Sequence, residues 1–547
     1  MNIQIKQISD MEKIRSIKDF DVQRIEKQDI LCGEKFCYQI AMYAERLQLF
    51  HIAVNSPIKK FVRVYAVKKA VMDFPSNSFD DDDFITKESG LMPDMLVSLS
   101  EQNNCVSVSS ETDTLWVEVA VPEDFESGEY PIDISFVNDE TYRYGEKVQF
   151  VQTMKINVLP LNLPKQKTMF TQWFHVDCIA AVHNVKIYSE KHWALIEKYL
   201  KLAGDLGINT ILTPVITPPL DTNFGTVRPC TQLVKIEKSG NQYSFDFSLL
   251  RRWISICRNN GIEYYEISHL FSQWGLKYSP NIMVTESGKS RYMFGWNVLA
   301  SDPSYKEFLE QFLPELIKVL KEEKIKDKCL FHLSDEPLEE HMENYRYAHN
   351  LVRPLIDGCK IIDAMSSKIF YNEKLVDIPV SATDHIEPFI ESDTKGLWAY
   401  YCCCQGNGVG NRFMAMPSYR NRILGLQLYK YGIGGFLQWG YNFYFCHRSF
   451  YPINPYVTTS GDKAFPSGDP FSVYPTQNGV TPSLRAVIFK EALQDIELCR
   501  MLEEKIGKEK VVELIEKEAG MEITFKDYPR NSEFIPHLTD KIKSMLI

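Results

Sequence analysis

From Thr168 onward, short apolar runs alternate with amphipathic segments, and this alternation limits the possible folds more than any other feature of the chain. "TMFTQWFH", "INTILTPV", "IEYYEISHL", "KCLFHLSDEP", "CKIIDAM", "IPVSATD", "GLWAYYCC" and "GGFLQWGYN" read as eight strands, near residues 170, 210, 265, 332, 362, 381, 399 and 437. Helical segments fall between them, among them "HWALIEKYLKLAGDLG", "FSLLRRWISICRNNG" and "SYKEFLEQFLPELIKVLKEEKI". The segments after the fifth and sixth strands are poorly defined. Strand–helix alternation predicts a parallel sheet with helices outside it, and eight repeats predict a (β/α)8 TIM-like barrel. An open doubly wound sheet is the competing fold, but no G-x-G-x-x-G follows the first strand. The tail after Pro482 is amphipathic and is expected to lie as C-terminal helices on the outside of the barrel.

The first 160 residues have a different texture. "TLWVEVAVPEDFESGEYPIDISFVN" alternates apolar and polar positions, turns at a Pro/Gly-containing stretch, and alternates again. This period of two predicts strand, turn and strand, and thus an all-β sandwich. "LPLNLPKQK" carries two prolines and places the boundary near Leu163. The expected domains are a β-sandwich over 1–163 and a catalytic barrel with helical extension over 164–547. The acidic run Asp80 to Asp83 reads as a solvated loop.

Composition removes several functional classes. The net charge is −11, which argues against a partner held through phosphate contacts, so no nucleic acid is expected. No stretch of about 20 apolar residues is present, so no membrane span is expected. The start of the chain has no apolar signal region. The 13 cysteines are odd in number and scattered, as expected of reduced thiols in a cytoplasmic protein; a secreted one would require a signal trimmed from this sequence. The run Cys402-Cys403-Cys404 reads as the end of a buried strand, because adjacent residues do not easily wrap a tetrahedral ion.

Barrel chemistry sits at the carboxyl ends of the strands. Those ends carry His175 and Asp177, His269, Asp335 and Glu336, Asp363, Asp384 and His385, Trp398, Tyr400 and Tyr401, and Trp439, Tyr441 and Asn442. Acids and aromatics dominate, which suits a neutral, hydroxyl-rich carbohydrate substrate.

The adjacent pair Asp335–Glu336 is the sharpest feature. Neighbouring residues have Cα atoms only ~3.8 Å apart. An ordinary retaining glycosidase needs two carboxylates about 5–5.5 Å apart on opposite sides of the bond. Adjacent carboxylates suit a different chemistry, in which a substrate's own 2-acetamido oxygen attacks the anomeric carbon. One carboxylate then orients the acetamido N–H, and its protonated neighbour donates to the leaving oxygen. Mutual repulsion raises one pKa toward the value a general acid needs. On this reading Asp335 orients and Glu336 is the acid, then the base for water. The plainer alternative is that Ser334 or Asp335 caps a helix that Pro337 begins.

Four motifs, "HLSDEP", "WAYYC", "LQWGYNFY" and "GDPFSVYP…SLRAVIFKEALQDIE", occur in order and resemble glycoside hydrolase family 123 from about Thr168 to Cys499. The resemblance implies a retaining exo-acting N-acetyl-β-galactosaminidase with substrate-assisted catalysis, a mechanism that needs no metal or organic cofactor, so none is expected. It implies Asp335 and Glu336 as the catalytic pair, and Tyr400, Trp439, Asn442 and His175 as substrate-binding residues. Tyr400 would align the acetamido carbonyl, and Trp439 would wall the sugar's apolar face. "FKEALQDIE" lacks a glycine and a tyrosine usual in the family's late helix. A non-hydrolytic glycan-binding protein and a glycosidase for another sugar remain the alternatives.

Overall fold

The computed structural model describes residues 2–138 and 148–547. Its N-terminal part holds two five-stranded sheets. One is antiparallel throughout and runs Ile3–Ser9, Lys35–Ala44, Asp113–Ala120, Val62–Met72, Gly90–Ser98 in spatial order. The other orders Lys27–Cys32, Val148–Asn162, Gly128–Asn138, Gln48–Asn55 and Cys105–Val108. The alternating positions read from the sequence supply its core: Leu115, Val117 and Val119 from one sheet meet Ile132, Ile134 and Phe136 from the other.

Eight parallel strands come next: β1 (Met169–Gln172), β2 (Thr210–Thr213), β3 (Tyr264–Ile267), β4 (Cys329–Phe331), β5 (Lys360–Met365), β6 (Ile378–Ala382), β7 (Trp398–Tyr400) and β8 (Gly435–Gln438). Each of the eight expected strands is present at its expected place. Neighbours pair in the order β1-β8-β7-β6-β5-β4-β3-β2, so the sheet curls until β1 and β2 are its two edges. Asn209 stitches that seam. Its backbone N–H donates to Phe170 O at 3.1 Å, and its side-chain Oδ1 accepts from Phe170 N at 2.8 Å. The sheet is therefore nearly closed. Its interior is filled by Trp173, Leu212, Leu330, Ile362, Val380 and Trp398, a packed core and not a channel. Gly435 lets Trp398 lie flat against β8, because a Cβ there would sit 2.3 Å from the indole ring.

Helices lie between the strands, including Glu190–Asp205, Ser248–Asn259, Pro303–Glu322 and Met342–Val352. The poorly defined segments after β5 and β6 are one-turn helices, Ile369–Asn372 and Glu387–Glu391. Two hairpins unforeseen in the sequence, Lys235–Asp246 before β3 and Ile282–Phe294 after it in the chain, join into a four-stranded sheet. Their strands are short and half-exposed, so their alternation is weak beside that of the sandwich.

The tail forms helices Leu484–Ile506, Lys508–Ala519 and Phe534–Leu546. The first packs on the outside of the barrel as expected, with Phe489 stacked on Phe170 at 4.5 Å. It also reaches the sandwich. Arg485 makes a buried two-pronged ion pair with Asp94, at 2.8 and 2.9 Å. The acidic run is not simply solvated, which corrects the loop reading: Asp81 pairs with the fully buried Arg420 at 2.7 Å, and Asp83 accepts from Arg530 at 2.9 Å. A buried guanidinium needs a counter-charge, and this loop supplies it. No described helix is long and apolar enough to cross a membrane.

Candidate active site

A cavity of about 100 Å³ opens at the carboxyl ends of the parallel strands, walled by Trp173, Asp335, Glu336, Tyr400 and Trp439 among others. A larger one, about 770 Å³, lies between the first sandwich residues and the terminal helices. That second cavity is lined by no barrel strand end, so it is remote from the carboxylate pair.

Asp335 and Glu336 follow β4, but no helix starts at them. The next helical turn begins at Glu339, with Leu338 at its cap and no side-chain cap bond. The helix-cap reading therefore fails. Glu336 has φ +48°, a left-handed conformation unusual for a residue with a side chain. Its N–H donates to Ala364 O on β5 at 3.1 Å, which pins the turn. Such strain concentrates at functional sites, and here it sends the two neighbouring carboxylates to different partners. Gln273 Nε2 donates to Asp335 Oδ2 at 2.6 Å. Tyr400 Oη donates to Glu336 Oε1 at 2.8 Å. Burial raises both carboxyl pKa values. The negative charge of Glu336 raises that of Asp335 further, while the Tyr400 hydroxyl pulls that of Glu336 down.

Beneath the pair lies a buried charged network. His332 Nδ1 faces Asp363 at 3.1 Å and its Nε2 faces Glu266 at 3.0 Å. Burial opposes its charge, but the two carboxylates win and raise its pKa to about 9. With an acceptor on each nitrogen, the ring is a doubly protonated imidazolium. Asp363 also accepts from the Leu333 and Ser334 N–H groups and from Tyr345 Oη. Its lone pairs are thus committed to holding the loop that carries Asp335. His269 stacks on His332 with ring centroids 4.4 Å apart.

The other strand-end residues separate clearly. His175 lines the cavity; its Nε2–H donates to Trp439 O at 2.9 Å, and its Nδ1 accepts from Arg228. Burial, then the Arg228 charge, lowers its pKa to about 3, so the ring is neutral. Asp177 is paired with Arg228 at 2.7 Å. Trp439 lines the cavity, with its indole N–H donating to Asp469 Oδ2 at 2.9 Å. Asp469 belongs to "GDPFSVYP", and Arg412 and Gln438 bond its main chain, so this distant motif fixes Trp439. Asn442 stands behind the wall: its Oδ1 accepts from His175 N and its Nδ2 donates to His175 O. Tyr401 and Tyr441 point away, to Asn421 and Tyr199. Trp398 fills the barrel. Asp384 accepts from Gln405, and His385 is exposed. The strand β7 ends at Tyr400, so the three cysteines lie in the loop beyond it and do not end a buried strand.

The sequence reading missed Gln273 and Trp274, which follow β3 in "SQWG", and Asp221. All three line the cavity. Trp274 is 46% exposed at the mouth, and its main-chain N–H donates to Asp335 O at 3.2 Å. A polar–aromatic pair before glycine, past a strand end, is the signal that could have located them. Asp221 accepts from Arg448 N at 2.8 Å, so it ties a rim loop in place.

No curated protein matches the chain in sequence. Among solved structures it is similar to a family 123 glycoside hydrolase from Clostridium perfringens, described for glycolipid glycan hydrolysis. The two are 16% identical with a TM-score of 0.75, over 100% of this chain and 98% of that one. A β-D-glucuronidase from Dictyoglomus thermophilum, 10% identical over 90% of this chain and 97% of that one, has a TM-score of 0.33, too low to bear on the fold. The model of the glycoside hydrolase 123 catalytic domain matches residues 173–502. That match covers more than half of the 547 residues and spans every strand end that walls the cavity, and the chain therefore belongs to glycoside hydrolase family 123.

Proposed function

We propose that this glycoside hydrolase is a retaining exo-enzyme that releases terminal β-linked N-acetylgalactosamine from glycans or glycolipids by 2-acetamido-assisted catalysis. The observation that carries this reading is the divergence of the adjacent carboxylates, Asp335 toward Gln273 and Glu336 toward Tyr400. Asp335 orients the acetamido N–H and stabilises the oxazolinium charge. Glu336 protonates the leaving oxygen and then activates water. Burial raises its pKa, the direction a general acid needs. Tyr400 aligns the acetamido carbonyl, Trp439 walls the sugar's apolar face, and Asn442 acts through His175, whose main chain it holds.

A conventional carboxylate pair is not favoured. Asp363 is buried and fully bonded, and Asp384 does not line the cavity. Asp221 does line it but is engaged by the Arg448 loop. The nearly closed sheet with its intervening helices supports a (β/α)8 barrel over 164–547, and the separate sandwich core supports a domain over 1–163. The ion pair Asp94–Arg485 supports a buttressing role for that domain. Thirteen unpaired cysteines favour a reducing, cytoplasmic setting.

The test is hydrolysis of chromogenic N-acetyl-β-galactosaminide, N-acetyl-β-glucosaminide and plain β-galactoside. Turnover confined to the galactosaminide is expected. Equal turnover of the plain galactoside would remove the acetamido group from the mechanism.

A further inference from the structure

The loop after β7 places three thiols in a row at the cavity mouth. In an extended strand, successive side chains point to opposite faces and cannot converge. Here the chain turns at Cys403–Cys404, and the three sulfur atoms of Cys402, Cys403 and Cys404 all lie within 4.8 Å of one another. The Cys403 and Cys404 sulfurs are 3.8 Å apart. A metal bound by three thiolates at about 2.3 Å in a plane requires sulfurs about 4.0 Å apart. The observed spacing is already close to that requirement.

The turn is also braced. Cys402 N donates to Gln405 Oε1 at 2.9 Å, and Asn411 Nδ2 donates to Cys402 O at 2.9 Å. Gly406 N donates to Cys404 O at 2.9 Å, and Asn77, from the sandwich, donates to Cys403 O at 3.0 Å. Gln405 in turn is held by Asp384. The three carbonyls and the Cys402 N–H are thus committed to holding the turn, and the three sulfurs face one another. Cys402 and Cys403 line the same cavity as Glu336, and Cys404 is exposed.

We propose that Cys402, Cys403 and Cys404 form a three-coordinate site for a soft, thiophilic cation, and that its occupation blocks the catalytic cavity. Adjacent residues wrap a tetrahedral ion poorly, but a trigonal site needs no fourth protein ligand. Binding a divalent ion displaces one proton from each thiol to solvent and leaves a singly negative centre beside the acid pair. Soft thiolate ligands select for soft cations and against magnesium or calcium. The ion has no part in glycoside cleavage.

The test is titration of the full chain with Cd²⁺ alone, followed by thiolate-to-metal charge-transfer absorption and by equilibrium dialysis. One ion per chain is expected, with affinity falling steeply on acidification. Cys404→Ser removes one ligand at an exposed position that does not line the cavity. It should weaken binding by more than the roughly 10–100-fold that an outer-shell change costs a metal site. It should leave basal hydrolysis unchanged. Cys105→Ser and Cys230→Ser remove the other partly exposed thiols and should bind as wild type does. Stoichiometric binding that survives Cys404→Ser, or is lost in Cys105→Ser, overturns the proposal, as does no binding at all. Binding is read without substrate, so its outcome is separate from that of the galactosaminidase reading. With a substrate in hand, Cd²⁺ should inhibit the wild type reversibly, with chelator restoring activity, and should spare Cys404→Ser.

Discussion

Tyr400 Oη donates to Glu336 Oε1 at 2.8 Å across the barrel mouth, linking the end of β7 to the turn after β4. A hydroxyl that donates to a carboxylate favours its charged form. Tyr400→Phe removes that donor while keeping the ring. The Glu336 pKa should therefore rise further. The kcat/KM profile of the variant should show its Glu336 limb displaced to higher pH. An unmoved limb would separate this contact from the acid.

Glu336→Gln and Asp335→Asn keep shape and remove charge. Each should lower kcat on an N-acetylgalactosaminide by about 10²-fold or more. The two losses should not add in the double variant, because the carboxylates act on one reaction coordinate. Full activity in either single variant would remove that residue from the chemistry.

The pair Asp94–Arg485 is buried on both sides, with side chains 1% and 2% exposed. It ties the sandwich to the helix that packs on β1 and β8. Asp94→Ala leaves a buried guanidinium without its partner and should cost about 3–5 kcal/mol, read as a lowered urea midpoint. Asp94→Asn, which keeps the side-chain shape, should lie between wild type and Asp94→Ala.

His332 carries the clearest pH signature. Its pKa rises from 6.5 to about 9 on folding, as Asp363 and Glu266 hold the imidazolium. The folded chain binds the proton more tightly, so this stabilisation is fully present below pH 6.5 and is lost as pH rises toward 9. The stability gap between wild type and His332→Gln should shrink across that window in denaturant titrations. A gap independent of pH would mean the ring is neutral in the folded chain.

Much of the site is legible at the strand ends. Apolar runs stop at or near Asp335, Glu336, Tyr400, Trp439 and His175, and the structure gathers all five on one cavity. Asn442 obeys the same rule but stands one layer back, because its amide is occupied by the main chain of His175. Gln273 and Trp274 escape it because they lie several residues beyond β3, in a loop whose path depends on contacts to Asp335 and Asp221. The hairpin sheet escapes because its strands have little apolar period to detect.

Local periods are written in the order of residues: two in the sandwich, strand–helix alternation beyond Leu163, and a strand that stops at two adjacent acids. Those periods come from side-chain hydrophobicity along the chain, a one-dimensional property. What the acids can do arises only in three dimensions. A left-handed turn at Glu336, pinned by Ala364, sends neighbours in sequence to partners 62 and 64 residues away. Folding likewise turns three consecutive cysteines onto one point instead of alternating them across a strand. Backbone direction at a single residue depends on hydrogen bonds from distant elements, which no local period records.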